Sequence, residues 1–188
     1  MLEIRWHGRG GQGAVTSVEL FALAAIAEGK YAQGFPSFGT ERRGAPVTGF
    51  NRVDDKPIKI RSGIYHPDVV VVLDESLVAL VDVTEGLKPA GTLLVNTTKD
   101  LAALTRDLHF TGRIATVDAT GIARTELGVP ITNTTMLGAL VKVTGAVKFD
   151  SIAEPIQARF GRIAAKNLAA AKSAYDQVKV INEGSNNA

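Results

Sequence analysis

The fold is decided by the opening of the chain, which reads LEIRWHGRGGQGA over Leu2–Ala14. Residues 2–7 alternate apolar and charged side chains, as a half-buried strand does. A glycine-rich turn follows, and a helical pattern then runs from Ala14 to Ala27, with Gly29 as the residue that closes the helix. This order of strand, glycine turn and helix is typical of the first unit of a nucleotide-binding α/β fold.

The rest of the chain continues the alternation of strands and helices. The β-branched run Val69–Leu73 predicts a central strand of a parallel sheet. Other strands are predicted near residues 30–33, 92–96 and 113–118, and a hairpin is predicted from residues 47–53 and 57–61 across the turn at 54–56. Helices are predicted after Asp74 or Ser76 and at residues 119–127, 134–144, 151–160 and 162–179.

These elements predict an α/β protein with a three-layer, Rossmann-like, doubly wound architecture. Its sheet is expected to be mostly parallel, with one antiparallel hairpin insertion. Residues 1–182 are expected to form a single domain, and residues 183–188 a loose C-terminal tail.

Composition excludes several classes of function. The chain has 188 residues, a net charge of +2 and no cysteine, so it supplies no thiolate to an iron–sulfur cluster and no cysteine nucleophile. No run of Lys and Arg argues for nucleic acid. No signal peptide is visible and the densest apolar run is far too short to cross a bilayer, so we expect a cytoplasmic protein without a membrane partner.

The glycine turn is the first candidate binding site. Gly8, Gly10 and Gly13 fit the pattern G-x-G-x-x-G between a strand and a helix, and Gly11 adds a fourth glycine. Glycines let the backbone approach a phosphate, and the free N–H groups of the helix N-terminus attract its charge. Side chains within this loop add further donors (Arg9 and Gln12). The alternative is that the glycines only permit close packing of the helix on the strand.

An NAD site is less well supported than a phosphate site. Dinucleotide-binding folds carry an acidic residue at the end of the second strand, where it holds the ribose hydroxyls. The second predicted strand ends near Gln33, which is not acidic, and Glu28 lies at the end of the helix instead.

A second candidate is the irregular segment from Gly34 to Val47. Its prolines and its two phenylalanines argue against disorder and suggest contact with a partner surface or a ligand. Two neighbouring arginines provide donors for phosphate or carboxylate groups. The alternative is a loop folded over its own core, with Glu41 paired to one arginine. The candidate binding residues here are Ser37, Phe38, Thr40, Arg42 and Arg43.

The remaining polar motifs are weaker. Asn133 or Thr134 is expected to cap a helix whose N-terminus faces a second anion or an interface, and Asn133 is included among the candidate binding residues. His7, His66 and His109 have no metal-ligand spacing, and His7 is expected to be a structural histidine. No arrangement of Ser, His and Asp is visible, so we assign no catalytic and no metal-binding residue.

Five motifs in this order resemble the gamma subunit of 2-oxoacid:ferredoxin oxidoreductases, and together they extend over nearly the whole chain. They are IRWHGRGGQG (residues 4–13), FGTERRGAPV (38–47), VVLDESL (71–77), GTLLVN (91–96) and NTTMLGA (133–139).

The resemblance implies a subunit that is not catalytic alone. The complex would convert a 2-oxoacid, coenzyme A (CoA) and oxidised ferredoxin to acyl-CoA, CO2 and reduced ferredoxin. It implies partners of the alpha, beta and delta type, which would hold thiamine diphosphate, Mg and [4Fe-4S] clusters. CoA would be shared between this chain and those partners, and ferredoxin would accept the electrons.

The resemblance leaves the 2-oxoacid open. The form ERRGAPV looks more like the pyruvate enzymes than the 2-oxoglutarate enzymes, and branched-chain and aryl 2-oxoacids remain alternatives. Two other classes also remain: an independent NAD-dependent dehydrogenase, and a purely structural subunit whose glycine turn binds nothing.

Overall fold

The computed structural model of the chain describes residues 1–37, 44–100 and 112–181, together with Leu104, Leu108 and Phe110. Several predictions lie outside these residues, namely those for Phe38, Thr40, Arg42, Arg43, His109 and the tail at 183–188. The strands are β1 (Leu2–Arg9), β2 (Tyr31–Pro36), β3 (Pro46–Asp54), β4 (Val69–Val72), β5 (Thr92–Asn96), β6 (Arg113–Val117) and β7 (Lys179–Ile181).

These seven strands form one sheet in the order β2-β3-β1-β4-β5-β6-β7. β1, β4, β5 and β6 are neighbours in parallel pairs. β3 runs antiparallel to both β1 and β2, and β7 runs antiparallel to β6. The predicted α/β fold, with a mostly parallel sheet and an antiparallel hairpin insertion, is therefore confirmed.

The partner predicted for residues 47–53 in the hairpin was wrong. The hairpin joins β2 to β3, and residues 57–61 form no strand. Both edges of β3 are already paired, one with β1 and the other with β2, so residues 57–61 have no strand edge of β3 to join. They pass near β2 instead, where the Gln33 amide donates to the Ile58 carbonyl at 3.3 Å.

Helices cover one face of the sheet. They are α1 (Ala14–Ala27), α2 (Ala119–Leu127), α3 (Asn133–Thr144), α4 (Ala153–Phe160) and α5 (Ala164–Gln177). The buried side chains of β4 alternate between two cores, as a strand of a central sheet requires. Val69 and Val71 pack with these helices, whereas Val70 and Val72 pack with Leu77 and other residues on the opposite face.

Several element boundaries differ from the prediction. The segment from Gly34 to Val47 was predicted to be irregular, but β2 continues to Pro36 and β3 begins at Pro46. The helix expected after Asp74 is only a 3-10 turn, Glu75–Ala79. The helix expected from residue 151 is preceded by a 3-10 turn, Phe149–Ile152, and begins at Ala153. The last helix ends at Gln177, because the chain becomes extended at Val178 and pairs as β7 with β6.

The first helix lies against the hairpin because two strand glycines leave room for it. A Cβ atom at Gly34 would lie 3.0 Å from the Val18 carbonyl oxygen, and one at Gly49 would lie 2.8 Å from a Val18 methyl group. The Asn51 amide donates to the same Val18 carbonyl at 2.9 Å and accepts from the Trp6 indole at 2.8 Å. These contacts fix the N-terminus of α1, and with it the glycine turn.

The contact between α3 and α5 generates a prediction about stability. A Cβ atom at Gly138 would lie 1.9 Å from the Ala171 carbonyl oxygen, so the two helices must separate to accommodate it. We expect Gly138→Ala to lower the free energy of unfolding by about 1–3 kcal/mol, although alanine favours helix over glycine. Denaturant unfolding measures the change.

Ala169→Ser is the matched control, because it adds one atom at an exposed position of α5. We expect it to change the free energy of unfolding by less than about 0.5 kcal/mol. Equal stability of Gly138→Ala and the native chain would contradict the close contact.

Candidate functional site

The glycine turn lies at the carboxyl end of β1. The Gly10 N–H donates to the Ala45 carbonyl at 2.9 Å, and the Gly44 N–H donates to the Gly10 carbonyl at 3.0 Å. These two bonds hold the turn against the chain that enters β3. Gly11 and Gly13 have φ angles of +93° and +80°, which side chains rarely adopt.

The carboxylate of Asp74 joins this turn to the end of the neighbouring strand β4. Its Oδ2 atom accepts from Arg9 Nε at 3.1 Å and from Gln12 Nε2 at 2.8 Å. Its Oδ1 atom accepts from the N–H of Ser76 at 3.0 Å, which caps the following 3-10 turn. Although burial alone would raise the pKa of Asp74, the bonds from Ser76 and Gln12 and the charge of Arg9 lower it.

Arg9 and Gln12 are therefore occupied by the protein itself. Arg9 also donates to the Gly44 carbonyl at 3.0 Å and to the Ser76 hydroxyl at 2.7 Å. The Gln12 carbonyl oxygen accepts from the backbone N–H of Arg9 at 2.8 Å. Their side chains shape the turn. The backbone N–H groups of Arg9, Gly10 and Gln12 are also bonded within the protein, so the N-terminus of α1 is the part of this turn that is suited to an anion.

The N-terminus of α1 has features of an anion site. Its N-cap residue is Gly13, and no side chain caps this end. A Cβ atom at Gly11 would meet no atom of the described residues within 4 Å, so within that part of the chain the outer side of the turn is open. Open space beside the N-terminus of a helix is the arrangement in which a phosphate is held by backbone amides.

Asn133 is brought to the same place. A Cβ atom at Gly13 would lie 2.6 Å from the Asn133 amide nitrogen, so only glycine permits this contact. The predicted cap was wrong by one or two residues: Thr132 is the N-cap of α3 and Asn133 is its first residue. The Asn133 side chain accepts from the N–H of Thr134 at 2.8 Å, because it lies inside the first turn of the helix.

Ser37 lies at the same edge of the sheet but farther from the turn. It is exposed just beyond β2, and its N–H donates to the Thr48 carbonyl at 2.8 Å. β3 lies between it and β1, which corresponds to a distance of about 10 Å at the usual strand spacing. The structure thus places Ser37 beside the glycine turn without contact to it.

A polar cleft of about 460 Å³ opens over the carboxyl ends of the parallel strands β4, β5 and β6. We call it the strand-end cleft. Of the residues predicted to bind ligand, it contains Gln12, which it shares with the glycine turn. Its other lining residues are Leu73, Asp74, Glu75, Asn96, Thr97, Thr98, Asp118, Thr120, Gly121, Arg124, Pro130 and Thr132.

Most residues of this cleft were absent from the prediction. The signal that identifies them is their position, because ligands of open α/β sheets bind beyond the carboxyl ends of the strands. Asn96 and Asp118 are the last residues of two predicted strands. The sequence alone does not show that these strands are neighbours. The strand that lies parallel to β1 and beside it is β4. Asp74 and Glu75 follow β4, so acidic residues do lie next to the glycine turn. The second strand in sequence, β2, ends without an acidic residue.

The wall of the cleft is held by Asn96. Its amide nitrogen donates to the Leu73 carbonyl at 2.8 Å and to the Thr120 hydroxyl at 2.9 Å. Its amide oxygen accepts from the N–H of Thr120 at 3.2 Å. These bonds connect the ends of β4 and β5 to the start of α2, so the wall is preorganised.

His7 has a structural role, as predicted. Its Nε2 atom accepts from Arg5 Nε at 3.0 Å, which requires the neutral ring with its proton on Nδ1. Arg5 in turn donates to the carbonyls of Val83 and Glu85 at 3.1 and 2.6 Å. Burial and the charge of Arg5 lower the pKa of His7 to about 4.

The part of the chain that the structure describes contains no group of three or more His, Cys, Asp or Glu side chains suited to a metal ion. Within the same ranges, none of the helices has the length and apolar character needed to span a bilayer.

The family of pyruvate ferredoxin/flavodoxin oxidoreductases matches the chain over residues 3–177. The chain belongs to this family. The gamma subunit shared by the pyruvate and ketoisovalerate oxidoreductases of Thermococcus kodakarensis is 56% identical over 182 residues, which cover 96% of this chain and 98% of that subunit. Subunit PorC of pyruvate synthase from Methanothermobacter marburgensis is 53% identical, over 95% of this chain and 98% of that one.

Among solved structures, the family resemblance extends to the whole fold. The crystal structure of pyruvate oxidoreductase subunit PORC from Thermotoga maritima superposes with a TM-score of 0.87 at 44% identity. The match covers 95% of this chain and 97% of that subunit. The resemblance of the sequence motifs to a gamma subunit is therefore confirmed.

The neutral state of His7 predicts how the stability of this family member depends on pH. Below pH 6.5 the unfolded chain takes up a proton at this histidine, whereas the folded chain does so only near pH 4. Stability should therefore fall as the pH is lowered from 6.5 to 4, and His7 should account for up to about 3 kcal/mol of that loss.

Denaturant unfolding at pH 7.5 and pH 4.5 measures this dependence. His7→Gln keeps an acceptor for Arg5 and removes the titration, so the difference between the two pH values should shrink. An unchanged difference would show that His7 is not the group responsible.

Proposed function

We propose that the chain is the gamma subunit of a pyruvate:ferredoxin oxidoreductase and that its glycine turn forms part of the CoA site. The complex converts pyruvate, CoA and oxidised ferredoxin to acetyl-CoA, CO2 and reduced ferredoxin. The observation that carries the proposal is identity above one half, over almost the whole chain, to subunits that are named gamma or PorC.

The geometry of the turn supports the binding of the CoA pyrophosphate. Gly11 has open space beside it, whereas Gly8 and Gly13 pack against Ala14 and Asn133, and the N-terminus of α1 lacks a side-chain cap. Partial positive charge at a helix N-terminus favours phosphate without any charged side chain. Arg9 and Gln12 contribute by holding the turn, since both donate to Asp74 and Arg9 also donates to Gly44 and Ser76.

The segment before β3 completes this site in our proposal. Phe38, Thr40, Arg42 and Arg43 belong to the second motif of the family resemblance and Ser37 directly precedes it; the two arginines are suited to further phosphate charge. Asn133 adds an amide beside Gly13.

The partner subunits, of the alpha, beta and delta type, supply the redox centres. The [4Fe-4S] clusters belong there, because this chain has no cysteine to ligate iron. The family resemblance implies that thiamine diphosphate and Mg are bound there as well. Ferredoxin accepts the electrons of the complex, which we place in the cytoplasm.

The charge at Gly11 provides a matched test of the CoA site. Gly11→Asp and Gly11→Asn have nearly the same shape and carry the same backbone strain at a φ of +93°. We expect Gly11→Asp to raise the KM for CoA about tenfold or more above that of Gly11→Asn, because only aspartate repels the pyrophosphate.

Steady-state kinetics of the assembled complex measure these values, and the KM for pyruvate is the internal control. Equal KM values for CoA in the two variants would favour the alternative of a structural subunit whose turn binds nothing.

The arginines of the second motif are tested separately. We expect Arg42→Ala and Arg43→Ala to raise the KM for CoA in the assembled complex, because each removes a donor to phosphate. Arg162→Ala, at an exposed position before α5, controls for loss of one positive charge. Unchanged KM values in both motif variants would remove this segment from the CoA site.

Purification of the tagged chain from its native cells under anaerobic conditions tests the assembly. We expect a larger complex that contains iron and thiamine diphosphate and oxidises pyruvate only with CoA. A chain recovered alone, without either cofactor, would favour an independent nucleotide-binding protein, and binding of NADH in calorimetry would then identify the dehydrogenase alternative.

A branched-chain 2-oxoacid is the second candidate substrate. The relative from Thermococcus kodakarensis is named for both pyruvate and ketoisovalerate. A gamma chain of this type therefore serves two oxidoreductases in that organism. A panel of 2-oxoacids with the purified complex distinguishes pyruvate from ketoisovalerate, 2-oxoglutarate and aryl 2-oxoacids.

A further inference from the structure

The strand-end cleft is lined by three carboxylates and one arginine. Asp74, Glu75 and Asp118 line it, and each already bonds within the protein. Asp74 holds Arg9, Glu75 accepts from the Thr97 hydroxyl, and Asp118 accepts from the N–H of Gly121 at 2.7 Å. These carboxylates retain acceptor positions that suit hydroxyl groups, and they repel a polyphosphate chain.

Arg124 is the one cation that lines the cleft among the described residues. It lies on α2, its residue is exposed, and its guanidinium makes no hydrogen bond or ion pair with any part of the chain that the structure describes. The side chains of Gln12, Asp74, Glu75, Asn96 and Asp118, by contrast, are bonded within the protein. Arg124 therefore has its full set of donors available to an anionic group.

Carboxylates that accept from hydroxyl groups, beside a free guanidinium, match a sugar that carries a phosphate. We propose that the strand-end cleft binds a phosphorylated ribose, with Arg124 on the phosphate and Asp118 and Glu75 towards the sugar hydroxyl. This rests on the proposed function, because CoA carries a 3′-phosphate on its adenosine ribose. Arginine near the acidic position of dinucleotide-binding folds recognises a ribose phosphate in the same chemical way.

The position of the cleft agrees with this assignment. Gln12 belongs both to the glycine turn and to the lining of the cleft, so the two sites are adjacent. In CoA the pyrophosphate and the 3′-phosphate are attached to the same ribose. A pyrophosphate at the turn therefore places the ribose and its 3′-phosphate over the ends of β4, β5 and β6.

The test compares CoA with 3′-dephospho-CoA, which keeps the reactive thiol and lacks only the phosphate that Arg124 binds. The kcat/KM for each thiol is measured with the assembled complex, for the native chain and for Arg124→Gln. We expect the native complex to prefer CoA, and we expect Arg124→Gln to reduce that preference by about tenfold or more, the usual effect of losing a charge-assisted hydrogen bond.

Arg113→Gln is the matched control. Arg113 is exposed at the start of β6, at the edge of the sheet opposite the cleft, so it loses the same charge without touching the site. It should leave the preference for CoA unchanged. Arg124→Lys should restore part of the preference, because it restores the charge without the planar fork.

Each result decides the proposal. Loss of the preference in Arg124→Gln alone supports it. A native complex that uses both thiols equally, or a variant in which kcat/KM falls equally for both, overturns it while the CoA requirement, and with it the proposed function, stands. A complex that uses neither thiol overturns the proposed function as well.

Discussion

One carboxylate holds the candidate site together. Asp74 bonds to two side chains of the glycine turn and to the backbone of its own 3-10 turn. The turn at the end of β1 and the start of the cleft at the end of β4 are therefore one unit. Asp74 accepts through both of its oxygen atoms. Its loss would therefore remove one hydrogen bond from Arg9, one from Gln12 and the side-chain cap of the 3-10 turn.

The glycine turn and the strand-end cleft differ in the groups that they offer a ligand: the first offers backbone, the second side chains. At the glycine turn, Asp74 neutralises the arginine, so in our proposal the attraction for an anion comes from the N-terminus of α1. In the strand-end cleft, side chains provide both the acceptors and one free guanidinium. The ligand that we propose joins a pyrophosphate to a singly phosphorylated sugar, so it would contact both parts.

The hairpin insertion lies on the side of β1 opposite β4 and helps to position the glycine turn. Gly34 and Gly49 let α1 lie close to β2 and β3, and Asn51 bonds to a carbonyl of that helix inside the core. The chain that enters β3 then pairs with the glycine turn through Gly44 and Ala45. The second motif of the sequence thus follows β2 and ends inside β3, the strand that is paired directly with β1.

Local sequence determined the first strand, the glycine turn, helix α1 and the buried strand at Val69, because each has a short-range signal: alternation, glycine spacing, helical periodicity or a β-branched run. The family was also predictable from the sequence, because each of its five motifs is a continuous stretch of residues. Tertiary structure decided the partner of β3, since residues 57–61 have strand-like composition but no free edge to join. It also decided the strand-end cleft, because Asn96, Asp118 and Arg124 come together only when β4, β5 and β6 lie side by side, and no pattern within any of those segments records which strand is its neighbour.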